Sequence, residues 1–159
     1  MDASVAVGEH MTMKSSTAYA APEYIVNRAN LIATFSVDVW SFGALAFELC
    51  TGRALIAKNL YDNAQRSGLA ELRGWKGFHE GLRDLIFQFM PERAESAMVR
   101  HAEDLLRCCL SADPTKRPPM LDVLTHPFLV PSTVRSTAQV PPNAQLCTGC
   151  HRMCRPARA

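Results

Sequence analysis

Apolar and polar positions alternate along this chain in blocks of helical period. The most apolar block is Ser36–Gly52, SVDVWSFGALAFELCTG. Its Trp40, Phe42, Leu45, Phe47 and Leu49 point in several directions around a helix, and no charge falls between Asp38 and Glu48. A helix that is apolar all round is a buried one. Gly52 is a natural stop, because glycine takes the left-handed cap without strain. The run is too short, and too clearly bounded by Asp38 and Glu48, to span a membrane. The pattern therefore predicts a central buried helix on which other helices pack.

Weaker blocks follow the same period. Gly81–Met90 places Leu82, Leu85, Ile86 and Phe89 on one helix face, and Pro91 ends it. Ser96–Leu110 repeats the pattern with Val99, Ala102, Leu106, Cys109 and Leu110, and Ser111–Pro114 reads as a turn. Pro118-Pro119 opens a last helix containing Leu121, Val123 and Leu124, which His126-Pro127-Phe128 stops. Upstream, Leu60–Leu72 is a candidate helix with Leu60, Leu69 and Leu72 as its apolar points, broken at Arg73–Gly77. Ala21-Pro22-Glu23 opens a short helical turn, since proline suits a first helical position. Met1–Ala20 shows no sustained period and reads as a loop, and Asn27–Phe35 leads into the central helix. No alternating strand and no internal repeat stand out, so the expected fold class is mainly α.

Composition adds limits. The 159 residues suggest one domain, and 48% hydrophobic content suffices for a real core. A net charge of +2 gives no strong nucleic-acid or membrane reading. From Pro131 onward Pro, Ser, Thr, Ala and Gln dominate and aromatic residues vanish, the signature of a linker or disordered tail. No acidic residue follows Asp122, while Arg135, Arg152, Arg155 and Arg158 remain, so this tail is basic. Met1–Val7 lacks the basic start and apolar core of a signal peptide. Cys50, Cys108 and Cys109 sit in apolar helical patterns and read as buried thiols, which points to a reducing, intracellular and cytoplasmic setting.

Three separated motifs then line up: Thr17-Ala18-Tyr19-Ala20-Ala21-Pro22-Glu23, Asp38-Val39-Trp40-Ser41-Phe42-Gly43 and Asp113-Pro114-Thr115-Lys116-Arg117-Pro118. Each alone is weak. In this order and at these spacings they resemble the C-terminal lobe of a eukaryotic-type protein kinase of the serine/threonine kind, whose signature set includes Ala-Pro-Glu. The resemblance covers about 1–129 and leaves 130–159 as the basic tail. It implies the helical C-lobe subdomain without the N-lobe or catalytic loop.

The resemblance also implies roles. Glu23 would form a buried ion pair with Arg117, tying the activation segment to the helical base. Asp38 would be the helix-start acid that accepts hydrogen bonds from the catalytic loop; an acid there also suits the helix dipole. Trp40 would lie beneath the activation segment, with Gly43 on the same scaffold helix. Leu45 and Leu49 would form the base of the family's apolar spine, and are core residues by pattern alone. Ser15, Ser16, Thr17 and Tyr19 would belong to the activation segment. Ser16 would position the substrate hydroxyl, and Ser15, Ser16 and Thr17 are candidate phosphorylation sites. Each also has the plainer reading of a polar loop or ordinary core.

Other family parts are missing. Phosphoryl transfer needs a glycine-rich phosphate cover, a strand lysine, a catalytic Asp, and an Asn and a second Asp for magnesium. The 20 residues before Ala21-Pro22-Glu23 contain no His-Arg-Asp, Asp-Phe-Gly or G-x-G-x-x-G. The expectation is a truncated kinase-like domain: ATP and magnesium belong to the intact family, and this chain alone binds no cofactor and transfers no phosphate. The alternatives are a non-catalytic, pseudokinase-like interaction module and an incomplete gene model. Expected partners are protein substrates or regulatory proteins, with no nucleic acid and no membrane span. With their family covers missing, Asp38, Leu45 and Leu49 would leave an apolar patch open to self-association. In the tail, Cys147, Cys150 and Cys154 offer a partial or shared zinc site, because Cys-x-x-Cys lets two thiolates face one metal. Disordered tail and, more remotely, haem attachment at Cys-x-x-Cys-His are the competing readings.

Overall fold

A computed structural model of the chain describes residues 7–10, 17–26, 32–89 and 97–130. Over these residues the protein is mainly helical. No strand forms among them, and only two isolated antiparallel bridges occur, His10 with Ile32 and Lys58 with Ala64. A 3-10 turn at Thr17–Tyr19 leads into α1 (Pro22–Val26) and then α2 (Phe35–Thr51). Next come α3 (Arg66–Arg73), α4 (Glu80–Phe89) and α5 (Ala97–Cys109). A second 3-10 turn at Pro114–Lys116 precedes α6 (Met120–Leu124).

Helix α2 is the centre. It touches α4, α5, α6 and both 3-10 turns. Its inward side buries Trp40, Ala44 and Phe47 in one core with Leu72, Ile86, Val99, Leu106 and Leu110. Val39 joins Leu105, Cys109 and Val123 in a second, smaller cluster. Gly43 sets the closeness of α2 and α5: a Cβ there would meet the Cys109 Cβ at 2.7 Å and the Leu110 Cδ2 at 3.0 Å. Gly52 ends α2 in the left-handed region (φ 65°), donating its N–H to the Glu48 carbonyl at 2.8 Å. This stop is where the pattern placed it.

The helix is not buried all round, however. Leu45 is 47% exposed, Leu49 78% and Phe35 65%. Positions 35, 38, 42, 45 and 49 are spaced three and four apart, so they form one stripe. Phe35, Asp38, Leu45 and Leu49 stand outside on this stripe, while Phe42 between them is half-buried and packs against both core clusters. The expectation that Leu45 and Leu49 are core residues is thereby corrected.

The candidate helix 60–72 starts later, at Arg66. The reason is local. Asn59 Oδ1 accepts hydrogen bonds from the Tyr61 and Asn63 amides at 2.9 and 3.1 Å, a side chain imitating a backbone turn. Asp62 takes a left-handed φ of 57°. Leu60 consequently points fully into solvent, while Leu72 is buried and Leu69 partly so. In α4, Leu82 and Ile86 are buried and Phe89 is not; Pro91 lies outside the described residues. All five apolar positions expected in the Ser96–Leu110 block are buried. In α6 only Val123 is buried; Leu121 and Leu124 face outward. Cys50, Cys108 and Cys109 are buried, as their apolar helical pattern implies. No helix among the described residues is long and apolar enough to cross a membrane. The tail 131–159, with its expected disorder, lies outside the described residues.

Candidate functional site: a fastened turn above the central helix

The second 3-10 turn delivers an arginine into the interior. Asp113 caps it, with Oδ1 accepting from the Thr115 amide at 3.0 Å and the Thr115 hydroxyl at 2.7 Å. These bonds hold the Asp113 carboxyl below its ordinary range. The chain then extends at Arg117, whose side chain is fully buried. Its Nη1 donates to Glu23 Oε1 at 2.6 Å and its Nη2 to Glu23 Oε2 at 2.8 Å, two parallel bonds of the kind a guanidinium makes with a carboxylate. Nη1 also donates to the Ser36 carbonyl and Nε to the Ser111 carbonyl, both at 3.0 Å. One side chain thus ties α1, the start of α2 and the end of α5 together. Its planar face lies 5.0 Å from the Trp40 ring centre, a cation–π contact. Trp40 meets Trp75 edge to face at 5.2 Å, and Trp75 Nε1 donates to the Leu110 carbonyl. The buried Trp40 Nε1 has no hydrogen-bond partner among the described residues.

A second network fixes the Thr17–Tyr19 turn. Tyr19 Oη donates to Glu48 Oε2 at 2.8 Å, and Ser41 Oγ donates to the Tyr19 carbonyl at 3.0 Å. Lys58 Nζ reaches Tyr19 Oη at 2.6 Å, Glu48 Oε1 at 2.8 Å and Asp62 Oδ1 at 3.0 Å. The Ala64 amide donates to Thr17 Oγ1 at 2.7 Å, and the Ala18 amide to the Asp62 carbonyl at 3.1 Å. The Lys58 hydrogen bond is the main cause that holds the Glu48 carboxyl below its usual value. The Glu48 bond in turn pushes the Lys58 ammonium well above its own.

Of the residues singled out in the sequence, the structure brings Glu23 and Arg117 together and sets Thr17 and Tyr19 against α2. Asp38 lies exposed in the first turn of α2, Trp40 and Gly43 are buried along it, and Leu45 and Leu49 face outward. Ser15, Ser16, Cys147, Cys150 and Cys154 lie outside the described residues. Sequence reasoning gave no site role to Glu48, Lys58 or Asp62. A signal was there for Glu48, the lone acid in the second half of an otherwise uncharged run. Among the described residues no three His, Cys, Asp or Glu side chains gather into a set that could hold a metal ion.

Against this geometry, a family model described as the protein kinase domain matches residues 3–129. The chain belongs to the protein kinase family. It is 31% identical over 147 residues to "Cyclin-dependent kinase F-4" of Oryza sativa subsp. japonica, covering 82% of this chain and 32% of that protein. It is 30% identical over 128 residues to "Probable serine/threonine-protein kinase mkcE" of Dictyostelium discoideum, covering 80% of this chain and 16% of that protein. It is 34% identical over 118 residues to "Serine/threonine-protein kinase GIN4" of Saccharomyces cerevisiae, covering 74% and 9%. The chain thus spans a third or less of the length of these kinases.

Proposed function

We propose that residues 1–129 are the C-terminal helical lobe of a serine/threonine protein kinase, carrying its activation segment and substrate-side platform. The observation that carries this reading is the Arg117 fork on Glu23, which fastens α1, just after the Thr17–Tyr19 turn, to the base of the helical body. Glycine-rich cover, strand lysine, catalytic loop and magnesium acids are the working parts of phosphoryl transfer in this family. The 159 residues contain none of their motifs. The polypeptide 1–159 by itself therefore transfers no phosphate; the parent activity moves the ATP γ-phosphate to protein hydroxyls. Purified 1–159, incubated with ATP, magnesium and serine- and threonine-containing peptides, is expected to show no turnover above buffer. Magnesium-dependent peptide phosphorylation would overturn this.

One observation favours a second reading, a non-catalytic interaction module. Leu45 and Leu49 stand exposed along the same stripe of α2, where apolar surface invites a protein partner. An inactive chain that captures a defined protein through this stripe, and loses it on Leu49→Lys, would favour the module.

A further inference from the structure

The Thr17–Tyr19 turn is held by a cation that belongs to none of the three motifs. Lys58 sits at the base of the loop 58–64, ahead of α3. Its ammonium has three N–H donors. They are shared among four acceptor atoms from three segments: Tyr19 Oη in the turn, both Glu48 oxygens on α2 and Asp62 Oδ1 within the loop itself. Its carbon stem also brings the ammonium to 4.9 Å from the Tyr19 ring centre. Every donor is therefore engaged, and the Lys58 and Glu48 side chains are only 21% and 27% exposed.

We propose that Lys58 is a latch: its ammonium closes the loop 58–64 over the Thr17–Tyr19 turn and holds both on α2. This goes beyond the kinase-lobe reading, which assigns no role to Lys58, Glu48 or Asp62. Glu48 and Asp62 bring two carboxylates to one place, and Lys58 is the cation between them. Without it the two carboxylates face each other uncompensated, and their repulsion favours the loop moving away from α2. The loop's other bonds mostly close it on itself: the Lys58–Ala64 bridge, the Asn59–Asn63 backbone bond and the Asn59 side-chain turn. Its tip is solvent-borne, with Leu60 fully exposed and Tyr61 82% exposed. Asp62 sits at a positive φ that L residues adopt at a cost, so an unlatched loop has a reason to relax. When it moves, the Ala18 amide loses the Asp62 carbonyl and the Ala64 amide loses Thr17 Oγ1, because both bonds join loop to turn. Tyr19 would keep its bonds to Glu48 and Ser41, so release begins at the Thr17 end.

Amide hydrogen exchange on the full chain tests this. In Lys58→Met, which keeps the stem and removes the charge, the Ala18 and Ala64 amides should exchange roughly tenfold faster, the scale of one lost charge-assisted bond. The Leu110 amide, bonded to the Leu106 carbonyl in the core, should keep its rate. Lys58→Arg should restore most of the protection, because a guanidinium can still serve two carboxylates. Unchanged rates at Ala18 and Ala64, or equal acceleration at all three amides, would overturn the latch. If Lys58→Met does not fold, Lys58→Gln, which removes the charge but keeps a polar end for Glu48, decides: selective acceleration at Ala18 and Ala64 supports the latch, and unchanged rates refute it. The readout is local order and not phosphate transfer, so it fails or stands separately from the kinase-lobe reading.

Discussion

Arg117 makes four hydrogen bonds with a side chain that water does not reach. Removing either partner of a buried pair leaves a charge without compensation, at about 3–5 kcal/mol. Arg117→Ala should lose that much in urea titration, and Arg117→Lys should recover only part, because an ammonium cannot grip both carboxylate oxygens in parallel. Glu48 gives a pH dependence whose sign is fixed. Its folded pKa lies below the ordinary 4.5, chiefly through Lys58, so its contribution is present above that value and is lost as pH falls through the folded pKa. Stability should therefore decline on acidification below about pH 4.5, and Glu48→Gln should flatten that acid limb in urea melts compared across pH. At this scale the sequence was uneven. Glu23 and Arg117 were paired only through the family resemblance, since no periodicity links residues 94 apart. The Ser36 and Ser111 carbonyls that complete the arginine's shell are backbone atoms, and no residue type announces them.

Elements were more legible than contacts. The ends of α2 were readable because a stop has local chemistry: Gly52 takes a backbone conformation that side chains resist. Gly52→Ala should cost about 1–2 kcal/mol, read as a lower thermal midpoint, with the Phe89 ring 2.9 Å from the added methyl adding strain. The body of α5 was readable because its apolar period is long and regular. The stretch before α3 was misread for an equally local reason. Leu60, Leu69 and Leu72 mimic a helical face, but Asn59 captures two amides and Asp62 turns left-handed. A three-point apolar pattern is weaker than one well-placed asparagine. In α6, Leu121 and Leu124 were apolar letters without a neighbour to cover them, and burial there depended on tertiary packing that the period does not specify.

For the molecule as a whole, the apolar surface along α2 is the main liability. Phe35, Leu45 and Leu49 lie on one stripe facing away from the core. The purified chain should self-associate in a concentration-dependent way by sedimentation velocity, and Leu49→Lys should shift it toward monomer. A monodisperse monomer at every concentration would count against an adhesive stripe. The fold class was readable from period and composition, but which side of the central helix is covered was not, because that depends on which other elements are at hand. The Arg117–Glu23 fastening has a last consequence, in time. It closes a loop spanning 94 residues, so chain entropy must be overcome before that contact rewards anything. It belongs late in assembly, after α2 and α5 have met. Its weight then falls on the barrier to opening: the pair does little to help the chain find its fold and much to keep it from leaving.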